Sequence, residues 1–238
     1  MKENITEQDS FFSFEMPTMR HIELIMKAGT SNPFISQFFS ILFSRRATEN
    51  LMQAPLEFTV CADVYKVTKV FEKNGEADLL NEKALFFLAM QDSVFAAHSM
   101  AFQAEQLGLR IKYIPLNLER VKEIRKKWNL PDKVVPFLTV SMGYPEKKQT
   151  ECVTFPREFI FFEDEYPAAN DFLIDELMYH LDEEEELIEY YKHIDKTCDD
   201  ITEKKSWCWY KLLRRNCLAW EESLSEFDKI LKLCGINL

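Results

Sequence analysis

NEKALFFLAMQDSVFAAHSMAFQAEQLGL, Asn81–Leu109, is the longest helical pattern in the 238-residue chain. It holds no proline, and its glycine, Gly108, sits where a C-terminal cap belongs. At about 1.5 Å per residue the helix spans on the order of 40 Å, the width of a domain. Met90, Ala97, Ala101, Ala104 and Gly108 lie three, four or seven apart and form a small-residue stripe along which another backbone can approach. Leu85, Leu88, Phe95 and Phe102 form a second apolar stripe. Apolar residues over so much of the circumference predict a centrally buried helix. Asp92 and His98 interrupt it and require partners or an edge.

The run MQDSVFAAHSMAFQAEQLGL resembles the central helix of the nitroreductase family of flavoproteins, D-x-x-x-A-x-Q-N-x-x-L-A-A-E-S-L-G-L-G. The resemblance continues through IKYIPLNLERVKEIRKKWNLPDKVVPFLTVSMGYP. There the family has a strand, a loop, a helix, L-P-x-x-V-x-P and a closing G-Y/W-P. VCADVYK is similar to the F-C-A-D segment of the branch containing the large oxygen-insensitive nitroreductases and flavin reductases. His98 stands where the family often has Asn, and no chemistry is read into it. FEDEYP, LIEYY and SWCWYKLLRRN followed by LSEFDKILKLCGINL resemble that branch's C-terminal segments more loosely.

Bulk properties fit an enzyme-sized domain. A chain of this length can bury a sizeable core, and 47% hydrophobic residues argue against disorder. A net charge of −11 argues against non-specific nucleic-acid binding. The six cysteines are scattered without a C-x-x-C pair, so no metal site is expected. No membrane-length apolar run and no signal peptide is read, which predicts a cytoplasmic protein with reduced thiols and no membrane partner.

In chain order, a helix is predicted from Thr18 to Ala28, with Thr18 as N-cap. Strands are predicted at Phe39–Phe43, Glu57–Cys61, Arg110–Ile114 and Val134–Met142, the last buried on both sides. LERVKEIRKKW, Leu118–Trp128, reads as a solvated basic helix with a few apolar anchors. Lys73–Glu76 reads as a turn, and Asp63 as the cap of a helix. The acidic run Asp182–Glu186 reads as a solvated face, and Trp207, Trp209 and Trp220 as packing anchors or dimer contacts.

The resemblance implies an α+β fold: a central, mostly antiparallel sheet flanked by helices, with a long central helix and a helical C-terminal extension. Residues 1–166 form the core domain in this reading and 167–238 the extension, packing on the core or on a dimer partner. It implies a homodimer binding FMN, with NAD(P)H as co-substrate and a small-molecule electron acceptor: a nitroaromatic, a quinone or a flavin. The mechanism implied is ping-pong, and no side-chain acid or base is required. AGTSNPFISQFFSILF resembles the family's A-P-S-x-x-N-x-Q segment, so Gln37 takes the place of the glutamine that meets the flavin ring, with Thr30, Ser31 and Asn32 beside it. Pro115 and Leu116 stand at the family's I-G-G.

Three departures fall on the flavin site. EQDSFFSF replaces R-S-x-R-x-F, so only Ser10 could serve the phosphate there. Pro115 removes an amide donor. Neither Cys152 nor Thr154 is cationic where the family has its second phosphate clamp, so Lys147, Lys148 and Arg157 are the candidate replacements. Arg45 and Arg46 are further possible sources of charge near the phosphate. The alternative is a flavin-poor homologue that keeps the fold as a binding or structural protein.

Overall fold

The computed structural model describes residues 11–31, 36–44, 54–146, 157–166, 171–183, 217 and 225–236. Ser10, Asn32, Arg45, Arg46, Lys147, Lys148, Cys152, Thr154, Glu184–Glu186 and the three tryptophans at 207, 209 and 220 lie outside the described residues. The chain forms two compact units, Met1–Lys147 with Leu224–Leu238, and Lys148–Ser223.

The first unit opens with α1, Met19–Ala28. Thr18 caps it, its hydroxyl accepting the His21 N–H at 3.2 Å. Strands β1 (Phe39–Ser44) and β2 (Leu56–Asp63) follow, then α2 (Tyr65–Asn74), the long α3 (Glu82–Gln106), β3 (Arg110–Pro115), α4 (Leu118–Trp128) and β4 (Val134–Gly143). A further helix occupies 225–233. The four strands form one antiparallel sheet in the order β1-β2-β4-β3, so the expected α+β architecture is present. The strands run one to three residues longer than the apolar patterns alone, because flanking polar and proline residues continue the pairing.

Asn81 starts α3, its side-chain oxygen accepting the Ala84 N–H at 3.0 Å. Gly108 ends it at φ +77, a left-handed conformation that glycine adopts without steric cost. The Leu109 N–H then reaches back to the Ala104 carbonyl at 3.0 Å. The small-residue stripe faces the sheet: Ala97 and Ala104 pack with Met100 against Phe58, Val60, Val140 and Met142, with Ile22 and Ile25 of α1 closing the cluster. Toward its N-terminus α3 contributes Phe86 and Ala89 to a second cluster with Val64, Val121, Val135 and the C-terminal Ile230, Leu231, Cys234 and Ile236. Residues 225–236 therefore complete the core of the first unit.

Two expectations need correction. The second apolar stripe is buried only toward its start, where Leu85 packs against the second cluster: Phe95 is 53% exposed and Phe102 58%, with Phe87 and Val94 also exposed beside them. One sheet can cover only one side of a helix, and these side chains stay exposed on the other. The chain also does contain a helix long and apolar enough, by length and composition, to cross a membrane, namely α3. Its buried side packs on the sheet, as in the core helix of a globular domain.

The opposite face of the sheet is polar. Glu57 and Thr59 on β2 lie across from Ser141 and Thr139 on β4, and the two threonine hydroxyls bond at 3.1 Å. Val121 and Ile124, the apolar anchors of α4, are buried. Arg120 reaches back from α4 to Glu57 at 3.6 Å. Burial raises the Glu57 carboxyl above the ordinary glutamate range, and the positive charges of Arg120 and Lys127 oppose this only in part.

The second unit contributes a short 3-10 turn, Arg157–Phe159, and α5, Asp171–Glu183. Arg157 lies in this unit, its guanidinium over the Phe161 ring at 5.8 Å.

Candidate functional site

The C-terminal end of β3 and the N-terminal end of β4 form the floor of a groove against α3. Its volume is about 560 Å³, within the range of small-molecule sites. A register shift in the β2–β4 ladder shapes it. Val60 pairs with Leu138 and Cys61 with Pro136, so Phe137 is left as the extra residue of a bulge. Pro136 can donate no ladder hydrogen bond, which is why the irregularity falls there. The bulge lets three successive residues, Pro136, Phe137 and Leu138, all line the groove instead of alternating between faces. Pro115 and Leu116 line it from the end of β3, as do Val94 and His98 from α3 and Phe227 from the C-terminal helix.

Among the described residues, no Lys, Arg, Asp or Glu lines this groove. Its polar side chains are the His98 imidazole and the Tyr113 hydroxyl. Burial, helped by the negative charge of Glu105, raises the Tyr113 phenol above its ordinary value. Tyr113 thus stays protonated and can donate a hydrogen bond. Pro115 offers no N–H, so this stretch of backbone supplies one donor fewer than a glycine would.

A second groove of about 600 Å³ lies on the other side of His98. It is lined by Lys27, Ser31, His98, Ser99, Phe102 and Gln103, with Leu24 and Ala28. Thr30 and Ser31 follow α1 directly. Both hydroxyls donate to the Lys27 carbonyl, at 3.0 and 2.6 Å, and so cap the end of the helix. Their oxygens remain able to accept but not to donate.

Gln37 stands exposed immediately before β1 at φ +56, a conformation uncommon for a residue with a β-carbon. The loop is held there by α3. The Phe38 N–H donates to Oδ2 of Asp92 at 2.9 Å, and Asp92 is only 2% exposed. The Phe38 carbonyl accepts the Asp63 N–H at 2.9 Å. Asp63 in turn accepts from Ser40 and from the Tyr65 N–H, which turns the chain into α2. Asp92 is thus the residue that positions the Gln37 loop. Its apparent conflict with an apolar helix is the signal by which sequence could have found it.

The structure brings Pro115 and Leu116 into one groove and Ser31 into another, with His98 among the lining of each. Thr30 borders the second groove through its bond to Lys27. Gln37 lines neither groove. His98, Tyr113 and Phe137 were missed from sequence. A histidine on an apolar helix and a proline inside a strand pattern were the available signals.

Comparison with known proteins gives the fold its name. The NfrA1 nitroreductase of Bacillus subtilis superposes with a TM-score of 0.74 at 20% identity, covering 94% of this chain and 93% of its own. The NADPH:FMN oxidoreductase of Vibrio harveyi, solved with NAD+, superposes with a TM-score of 0.63 at 16% identity, over 81% and 90% of the two chains. In sequence, the FMN reductase (NADPH) of Bacillus subtilis is 28% identical over 116 residues, 48% of this chain and 47% of that protein. That match spans about half the length of the curated relative. No family profile matches the chain. The chain has the nitroreductase fold, as the resemblance read from its sequence implied.

Proposed function

We propose that the protein is an FMN-dependent NAD(P)H oxidoreductase of the nitroreductase type that reduces nitroaromatics, quinones or flavins. The groove at Pro115–Leu116, with no charged side chain among its described lining residues, supports this reading, since the family resemblance expects the flavin beside those two residues. Its walls of Pro136, Phe137, Leu138 and Leu116 fit one face of a planar ring, and Tyr113 and His98 can address a polar ring edge. Bound FMN would supply the redox chemistry, taking hydride from the nicotinamide and passing electrons to the acceptor. The chain's own part is to hold the ring, keep one face open and meet the phosphate. Gln37 serves as a ring contact, with Thr30, Ser31 and Asn32 beside it, and Ser10, Lys147, Lys148 and Arg157 are phosphate candidates by resemblance.

The protein acts as a homodimer in this reading. Phe87, Val94, Phe95 and Phe102 leave an exposed apolar face along α3, the kind of surface that a second copy covers. Light scattering is expected to give twice the 28.2 kDa chain mass; a stable monomer at micromolar concentration contradicts it. We place the protein in the cytoplasm, a reading supported by the buried free thiols Cys61 and Cys234.

The test of function is binding. FMN added to purified protein should quench its own fluorescence and co-elute with the chain. A preparation that is colourless and binds no flavin at high micromolar concentration leaves the second reading, a flavin-poor homologue. Pro115 in place of a small residue is the observation that favours that reading.

A further inference from the structure

The face of the sheet turned away from α3 carries a cavity of about 150 Å³ between α4 and strands β1 and β2, and none of its lining residues lines either groove described above. Glu57 lines it, with a side chain only 12% exposed. Oε2 of that carboxylate is buried and has no hydrogen-bond partner among the described residues. Oε1 stands 3.6 Å from the Arg120 guanidinium, beyond hydrogen-bond length, so the ion pair is open. Arg120 is held in that position by its bond to Glu123 at 3.0 Å. Ser141, directly opposite Glu57 on β4, is fully buried, and its hydroxyl likewise lacks a partner among the described residues. Buried polar atoms left unpaired cost free energy that a ligand group placed beside them recovers. A cavity of this size has room for several waters or for one molecule of a few heavy atoms.

We propose that this cavity binds a small zwitterion of the α-amino acid class, whose ammonium group meets Glu57 and whose carboxylate meets Arg120. The open ion pair carries the assignment. Its two halves line one space across a 3.6 Å gap, and a zwitterion brings to that space one charge of each sign. A simple cation would face Arg120 and Lys127, and a simple anion would face Glu57 and Glu123, so each is repelled by part of the lining. The ammonium donates to Oε2 and supports a carboxylate whose charge burial disfavours. Leu42, Ile124 and Trp128 supply the apolar part of the lining and fit a short aliphatic side chain. The site lies across the sheet from α3 and does not depend on the flavin reading.

Isothermal titration calorimetry on the full chain tests this with L-alanine, and with propionate and ethylammonium, each of which keeps one of its two charged groups. L-Alanine is expected to bind on the order of tenfold tighter than either half. Glu57→Gln removes the partner of the ammonium and should lower L-alanine binding to that of propionate. Arg120→Gln removes the partner of the carboxylate and should lower it toward that of ethylammonium. Thermal unfolding of each variant checks that the fold is kept, and the three-ligand comparison on the parent protein decides should a variant fail to fold. The proposal is overturned if L-alanine gives no binding at millimolar concentration, which leaves water as the occupant. Propionate or ethylammonium binding as tightly as L-alanine also overturns it, and makes the cavity a site for a single charge. So does a folded Glu57→Gln variant that binds L-alanine as the parent does.

Discussion

Replacing Asp92 by Ala should loosen the Gln37 loop and destabilise the first unit together. Asp92 is buried and its carboxylate accepts the Phe38 N–H at 2.9 Å. A hydrogen bond to an ionised group contributes about 1.5–3 kcal/mol, and its loss leaves the Phe38 N–H without that acceptor. Part of this is returned, because burying a carboxylate costs free energy that alanine does not incur. A net loss of about 2 kcal/mol corresponds to a fall of roughly 4–8 °C in Tm for a domain of this size. Asp92→Asn keeps an oxygen acceptor and should lose less. Thermal unfolding followed by circular dichroism measures the first effect. Hydrogen exchange at the Phe38 amide measures the second, since opening of that bond is what exposes it. If Asp92→Ala raises Tm, or leaves Phe38 protection unchanged, Asp92 is a tolerated buried charge and does not hold the loop.

Other outcomes follow from the same geometry. Glu57→Gln should stabilise the protein at neutral pH: the Glu57 pKa is raised in the folded state, so its stabilising contribution is present in acid and lost as pH climbs through that raised value. The variant should show a flatter dependence of stability on pH above the ordinary glutamate range; a steeper one contradicts the assignment. Gly108→Ala should cost about 1–2 kcal/mol in denaturant unfolding, since φ is +77 there although nothing lies near the added methyl. Gln37→Ala should lower flavin occupancy without lowering Tm, and unchanged flavin content removes Gln37 from the site.

Much of the fold was legible because its elements are locally consistent. Asn81 and Gly108 mark the ends of α3, Thr18 marks the start of α1, and the strands announce themselves as apolar runs. The exposure of Phe95 and Phe102 was not legible, since hydrophobicity states what could be buried but not how many neighbours arrive to bury it. Where the resemblance reached, it singled out Pro115 and Leu116, which do line a groove. The site was obscure where topology decides: Phe137 enters the groove through a bulge, and Lys27 and His98, on helices remote in sequence, line one groove. The polar face carrying Glu57, Thr59, Thr139 and Ser141 was hidden for the same reason, because the sequence reading judged β4 only as an apolar run.

The most direct test of the flavin-enzyme reading is anaerobic. Purified protein reconstituted with FMN and freed of excess is titrated with NADPH while the visible flavin absorption is followed. The proposed function requires stoichiometric flavin that bleaches on NADPH addition and recovers when a quinone is supplied. Protein that retains no FMN, or retains FMN that NADPH does not reduce, contradicts it.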